Sequence, residues 1–323
     1  MEHQPLFYRE ERIKMKKQIR NSCLLVLTAI IWGVAFVAQS EGGSAVGSFS
    51  FNGIRSFIGA IVLLPVILLL DKMGLTSRRP KSKAEWKLLI KGGILCGLAL
   101  FAASSLQQVG ITMGTEAGKA GFLTACYILI VPLFGLFLKK KCGWNIWVGV
   151  VLTLGGLYLL CLKGGFSLRL SDLLIILCAV CFAIQILLVD HYSPLVDGVR
   201  LSMMQFLVTG ILSIIPMIFT EMGLSKASIQ AWAGAFTSVS AWIPILYAGV
   251  LSCGVAYTLQ IVGQDGLNPT IASLLMSLES VFSVLAGALI LKQYLNGQEI
   301  LGCVLIFAAI ALAQIPVRTG KKS

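Results

Sequence analysis

Long apolar runs alternate with short polar breaks along most of the chain. Each run is near the roughly 20 residues that a helix needs to cross the hydrocarbon of a bilayer. Ten runs are expected to span, at about 21–39, 49–70, 88–109, 118–138, 144–162, 171–190, 199–219, 241–262, 269–291 and 299–316. The clearest stretch is 105–141: a helix end, a turn with Glu116 and Lys119, a second apolar run from Ala120 to Leu138, and a closing Lys139-Lys140-Lys141. It is predicted to be a hairpin of two spanning helices. The polar Ser/Ala/Thr stretch 225–240 is predicted to be a short helix on the surface, and 1–20 a charged, mobile tail.

Composition sharpens this picture. The chain is 57% apolar and 12% charged, whereas an ordinary soluble domain is about a quarter charged. The expected fold is an all-α polytopic membrane protein. The net charge of +12 does not point to nucleic acid, because the cations sit in blocks between apolar runs. With the N-terminus inside, twenty of the 26 Lys and Arg fall on inner segments and five on outer ones, and Arg55 lies within a span. The positive-inside rule therefore places both termini in the cytoplasm. The basic N-terminus followed by an apolar run imitates a signal peptide, but nine more spans follow, so it is taken as the first span.

Few residues suit enzyme chemistry. Only His3 and His191 are present, with no HExxH, GxSxG or GxxxxGK[ST] sequence, so no enzyme activity, cofactor, metal site or direct ATP drive is expected. Most of the nine Cys lie within apolar runs. Cys178 and Cys181 have CxxC spacing but sit mid-helix, and they are expected to be packing residues.

The chain also repeats itself. Ala120-Gly-Phe-Leu…Gly135…Lys140 lies over Ala272-Ser-Leu-Leu…Gly287…Lys292, and 272 minus 120 gives an offset of 152. Gly59 and Pro65 lie over Gly210 and Pro216 at 151, and Gln107 and Gly110 over Gln260 and Gly263 at 153. Five spans per repeat is an odd number, so the second half is expected to be inverted, giving ten transmembrane helices as two inverted five-helix repeats. The expected divisions are a tail at 1–20, a first repeat at 21–162, an external linker at 163–170, a second repeat at 171–316 and a tail at 317–323. Inverted repeats are the architecture of carriers whose halves rock about a midplane site.

At Gln107-Gln108-Val-Gly110…Thr115-Glu-Ala-Gly-Lys-Ala-Gly-Phe122…Val131-Pro132 the sequence resembles the EamA-type branch of the drug/metabolite transporter superfamily. Trp32-Gly33, Arg55, Gly149 and Gly155-Gly156 look like the same family's first-repeat landmarks, while the second repeat keeps a looser outline in Asn268-Pro269-Thr270 and Gly287. The resemblance covers about 20–316. It implies a ten-helix carrier with a central cavity formed largely by spans 3, 4, 8 and 9, and with spans 5 and 10 as peripheral supports.

Glu279 is the sharpest site candidate. A carboxylate near the middle of a span costs about 2.5–3.5 kcal/mol on insertion scales. It shares a helix face with Ala272, Met276 and Ser283, beside a stripe of Ser273, Ser277 and Ser280. It serves as a substrate or proton site, or is a buried carboxyl hydrogen-bonded between helices. Tyr127, its counterpart at 152, is expected in the opposite cavity wall. Arg55 is expected either to pair with Glu279, Glu41 or Glu116, to hold an anionic substrate group, or to snorkel. Glu116 and Lys119 at the outer mouth either guide a ligand or form an ordinary surface pair. Gln107, Gln108 and Gln260 are amides suited to a zwitterion or to helix packing, with Gln185 and Gln205 expected to pack. Trp32, with Phe36 one turn on, is a stacking candidate, and Ser277 completes the substrate-binding set.

The expected function is a secondary carrier in the plasma membrane moving a small organic metabolite, amino acid-like or drug-like, outward by alternating access. Proton coupling at Glu279 is a subsidiary expectation. Its partners would be the bilayer and a small-molecule substrate, with no nucleic acid. Alternatives are a sugar-phosphate or nucleotide-sugar carrier, and a channel-like or non-transporting membrane protein. No motif encodes oligomeric state or the particular solute.

Overall fold

The structure, a computed structural model, describes residues 6–76, 78–137, 143–161, 169–290 and 297–313. Helices take up most of these segments. In order come α1 (Leu6–Val46), α2 (Ser48–Lys72), α3 (Lys83–Thr112), α4 (Ala117–Ala125), α5 (Tyr127–Phe137), α6 (Trp144–Cys161), α7 (Leu170–Tyr192) and α8 (Gly198–Met217). Then follow α9 (Lys226–Gly234), α10 (Val239–Leu246), a run of wider π-helical turns at Tyr247–Ala256, α11 (Tyr257–Gln264), α12 (Pro269–Met276), α13 (Leu278–Ile290) and α14 (Gly297–Ala313).

Among the described residues, eight helical stretches are long and apolar enough to cross a membrane, from Met15–Val46 to Pro269–Ile290. The two others expected from sequence are helical, as α6 and α14, but their apolar portions Trp147–Gly156 and Ile300–Ala309 are shorter. Helix α1 begins at Leu6, so most of the tail expected to be mobile continues the first helix. The surface stretch is helical, as α9, and none of its residues is buried. The triple lysine Lys139–Lys141, Lys163, Lys292, linker residues 162–168 and the C-terminal tail lie outside the described residues.

The bundle is apolar outside, and its apolar interior also holds polar groups. Leu64, Leu68, Phe137, Val151 and Leu289 are exposed, whereas Asn52, Arg55, Gln108, Gln185, Gln205, Gln260 and Glu279 are buried. Lipid accepts the first set. The second must find partners within the protein, because an unpaired polar group in hydrocarbon costs several kcal/mol.

Helix neighbours obey an exchange rule. α2 packs on α8, and α6 on α14. α1 packs on α13 and α11 as α7 packs on α4, α5 and α3, and α3 packs on α8 as the π-helical segment packs on α2. Swapping the two halves maps these neighbours onto themselves. The rule extends to atoms. A Cβ on Gly110 would lie 2.8 Å from the Ser171 carbonyl and 2.6 Å from Ile175 Cγ1. One on Gly263 would lie 3.1 Å from the Asn21 carbonyl and 3.0 Å from Leu25. Asn21 and Ser171, like Leu25 and Ile175, are 150 residues apart. In each half the missing side chain lets two helices touch.

The ends of the α2–α8 pair are tied by matching acids. Asp71, ending α2, accepts from Arg200 Nη2 at 2.6 Å at the start of α8. Glu221, following α8, accepts from the backbone amides of Phe49 and Ser50, both at 2.7 Å, at the start of α2. Negative charge at these helix starts also suits the helix dipole. Replacing Gly110 or Gly263 by Val overpacks one of the tight crossings, an effect typically worth about 1–3 kcal/mol. Both variants are expected to lower the thermal midpoint in detergent, while Gly155→Val, with nothing within 4 Å of its added Cβ, leaves it unchanged.

Candidate functional site

The site is built on two interrupted helices. Between α4 and α5 the chain tightens at Cys126 (φ −57°, ψ −12°), whose amide donates to Leu123 O at 3.3 Å. Between α12 and α13 it tightens at Ser277 (φ −62°, ψ −14°), where Ser280 N donates to Ser277 O at 3.1 Å. These are i to i+3 contacts of the 3₁₀ kind, which inside a longer helix often mark functional positions. The breaks are 151 residues apart. Tyr127 opens the helix after the first, and Glu279 lies in the first turn after the second.

The two side chains meet. Tyr127 donates its hydroxyl proton to Glu279 Oε1 at 3.1 Å, across the 152 residues of the repeat. They stand in the wall of one central cavity. Trp32, Arg55, Gln107 and Gln260 line the same cavity, so six of the eight candidates read from sequence converge. Gln108 does not reach it: its Nε2 donates to Gln39 O at 2.8 Å, so it packs α3 against α1. Ser277 does not reach it either, because its hydroxyl turns back to Leu274 O at 2.7 Å at the helix break.

Arg55 makes no ion pair with Glu279, Glu41 or Glu116. Its Nε and Nη2 donate to Asn52 Oδ1 at 3.1 and 2.9 Å, and its guanidinium lies 5.3 Å from the Phe51 ring centre. Asn52 is held in turn by donating to Ser104 and Ser105 at 3.0 and 3.3 Å. The guanidinium is thus aimed by a neutral amide and an aromatic face rather than by an acid. Lys119, expected with Glu116 either to guide a ligand or to form a surface pair, reaches Asp172 on α7 at 2.7 Å.

Gln107 donates to Thr124 at 3.0 Å. Gln260 donates to Gln185, and Gln185 to Gln205, at 3.1 and 3.3 Å, so the two amides expected only to pack support the cavity glutamine from behind. Trp32 packs on Tyr257 with ring centres 4.6 Å apart. Three buried polar atoms of the lining have no hydrogen-bond partner among the described residues: Trp32 Nε1, Gln39 Oε1 and Gln260 Oε1. A buried group left unpaired costs about 1–3 kcal/mol, so one donor and two acceptors here keep unmet hydrogen-bonding capacity.

Gln39, Thr124, Phe182, Ser252 and Tyr257 also line the cavity and were missed in the sequence. For Gln39 a signal existed. Trp32, Phe36 and Gln39 follow one another at i, i+4 and i+7, which is one helix face. Among the described residues, no group of three or more His, Cys, Asp or Glu is placed to hold a metal ion.

A match to the EamA-like transporter family covers residues 20–162 and 169–314. A protein of Archaeoglobus fulgidus, named an uncharacterized transporter, is 28% identical over 294 residues, covering 91% of this chain and 85% of that protein. A Synechocystis protein, uncharacterized transporter sll0355, is 23% identical over 93% of this chain and 91% of its own. Mouse solute carrier family 35 member F6 is 28% identical over 55% of this chain and 53% of its own. A solved crystal structure superposes with a TM-score of 0.73, covering 94% of this chain and 98% of that one at 19% identity, a likeness of fold alone.

Replacing a buried polar pair by apolar groups of similar shape is often neutral or stabilising, whereas removing one partner is costly. Tyr127→Phe alone is therefore expected to lower stability by about 1–3 kcal/mol. Tyr127→Phe/Glu279→Met is expected to be at least as stable as the parent by denaturant titration, yet inactive in transport.

Proposed function

The chain belongs to the EamA-like transporter family, and from that membership we propose that it is a secondary carrier moving a small zwitterionic metabolite, an amino acid or close analogue, outward across the plasma membrane. It is a multi-pass membrane protein. On this proposal its helices are ten spans in two inverted repeats, 21–162 and 171–316, with both termini in the cytoplasm. The observation that carries the reading is the meeting of Tyr127 and Glu279, repeat-related residues at repeat-related helix breaks, in one cavity with Arg55. A cavity between two exchangeable halves suits alternating access, since motion of one half against the other exposes the same residues to either side.

The charges favour a zwitterion. Arg55 presents a fork of donors matched to a carboxylate, and Glu279 with the Gln39 and Gln260 oxygens presents acceptors to an ammonium group. One guanidinium opposed by one carboxylate suits a solute of no net charge better than a sugar-phosphate dianion, whose second negative charge would meet Glu279. Glu279 is also the group placed to carry a coupling proton, because protonation removes its charge and leaves the Tyr127 contact in reach.

In proteoliposomes the purified protein is expected to show saturable counterflow of at least one labelled amino acid without ATP. Flux that never saturates, or none for every metabolite tried, contradicts a carrier. Glu279→Gln is expected to abolish accumulation driven by a pH gradient; intact accumulation would remove the proton-coupling role.

A further inference from the structure

Each hairpin that carries a cavity wall is tied at its turn to the opposite half of the chain. At the end away from the arginine-rich loops, the turn between α3 and α4 is fixed to the start of α7. Thr115 Oγ1 donates to Asp172 Oδ1 at 3.0 Å, and Lys119 Nζ and the Arg169 amide donate to Oδ2 at 2.7 and 2.8 Å. At the arginine-rich end, the turn between α11 and α12 is fixed to α1. Asn21 Nδ2 donates to the Asp265 carbonyl at 2.8 Å, Lys17 Nζ lies 3.2 Å from Asp265 Oδ2, and Arg78 reaches the same oxygen at 3.4 Å.

The two clusters occupy corresponding places in the repeat. Asp172 lies one residue after Ser171, the counterpart of Asn21, and both hairpin turns hold a glycine at positive φ, Gly114 at 102° and Gly266 at 81°. The charge pattern is reversed between them. On one side the acid sits on the helix start and the cation on the hairpin; on the other the acid sits on the hairpin and the cation on the helix. Each cluster therefore bridges the two halves at one end of the cavity, and neither acid is among the cavity-lining residues. We propose that Asp172 and Asp265 are the two latches of the transport cycle, each closing one end of the cavity by holding a hairpin turn against the opposite repeat. These latches presuppose the alternating access proposed for the cavity.

The latches are unequal. Asp172 is 1% exposed and accepts from three donors at 3.0 Å or less. The Asp265 side chain is 20% exposed and its two cations stand at 3.2 and 3.4 Å, where solvent weakens the attraction. The Asp265 side chain is therefore the weaker of the two latches.

The test needs no substrate. Full-length protein with its nine native cysteines replaced carries one reporter, Ser252→Cys, on the cavity wall. A membrane-impermeant thiol reagent is applied to oriented vesicles from either side. Asp172→Asn is expected to raise labelling from the outer side about tenfold without raising it from the cytoplasmic side. Asp265→Asn is expected to raise cytoplasmic labelling by a smaller factor, about threefold. Exchanging the charges, Lys119→Asp/Asp172→Lys, returns outer labelling toward the parent rate. If Asp172→Asn raises labelling equally from both sides, or from neither while the parent is labelled from both, the latch assignment falls. A reporter reached from one side only in every variant would overturn alternating access itself, and the latches with it.

Discussion

The hydrogen bond from Tyr127 to Glu279 joins the two halves of the chain in the central cavity, and much of the interior is arranged around it. A carboxyl group this deep in an apolar bundle is tolerated only where the protein supplies polar company. That company comes from helix breaks, which tighten the backbone at Cys126 and Ser277 and deliver the two side chains into one space. It comes also from glutamines whose own partners lie further from the cavity, Gln185 and Gln205 behind Gln260. An apolar bundle would be easier to build. The retained polar lining leaves three atoms unpaired among the described residues.

Around this centre the two halves are joined by close packing and by polar contacts. Small residues allow close crossings at Gly110 and Gly263, so α3 meets α7, and α11 meets α1, across the boundary between the halves. Among the contacts between the halves at the bundle ends are polar ones: an acid, an amide, one or two cations. Such contacts can break and reform more readily than packed apolar surfaces, because water replaces the lost partner.

Much of the fold was legible because a bilayer imposes a simple pattern, helix-length apolar runs with cations between. The repeat was legible too, and its offset alone set Tyr127 opposite Glu279. What stayed hidden depends on rotation. A helix turns about 100° per residue, so of the neighbours Gln107 and Gln108 only the first faces the cavity. Ser277 lay on the expected polar stripe, but it sits at the break, where its hydroxyl finds a carbonyl of its own helix. For Lys119 the sequence offered Glu116 as the nearest acid, whereas folding brings Asp172 to it from another helix. Tyr257 and Ser252 sit on or beside the π-helical turns, whose altered pitch no hydrophobic pattern reports.

The central claim is that Arg55 and Glu279 hold the two ends of a zwitterion. It is tested most directly by comparing the affinity of a transported amino acid with those of its N-acetyl and carboxamide derivatives, in the parent and in Glu279→Gln. Each derivative is expected to bind the parent at least about tenfold more weakly, and Glu279→Gln is expected no longer to discriminate against the N-acetyl form. Equal binding of all three compounds to the parent would contradict the claim.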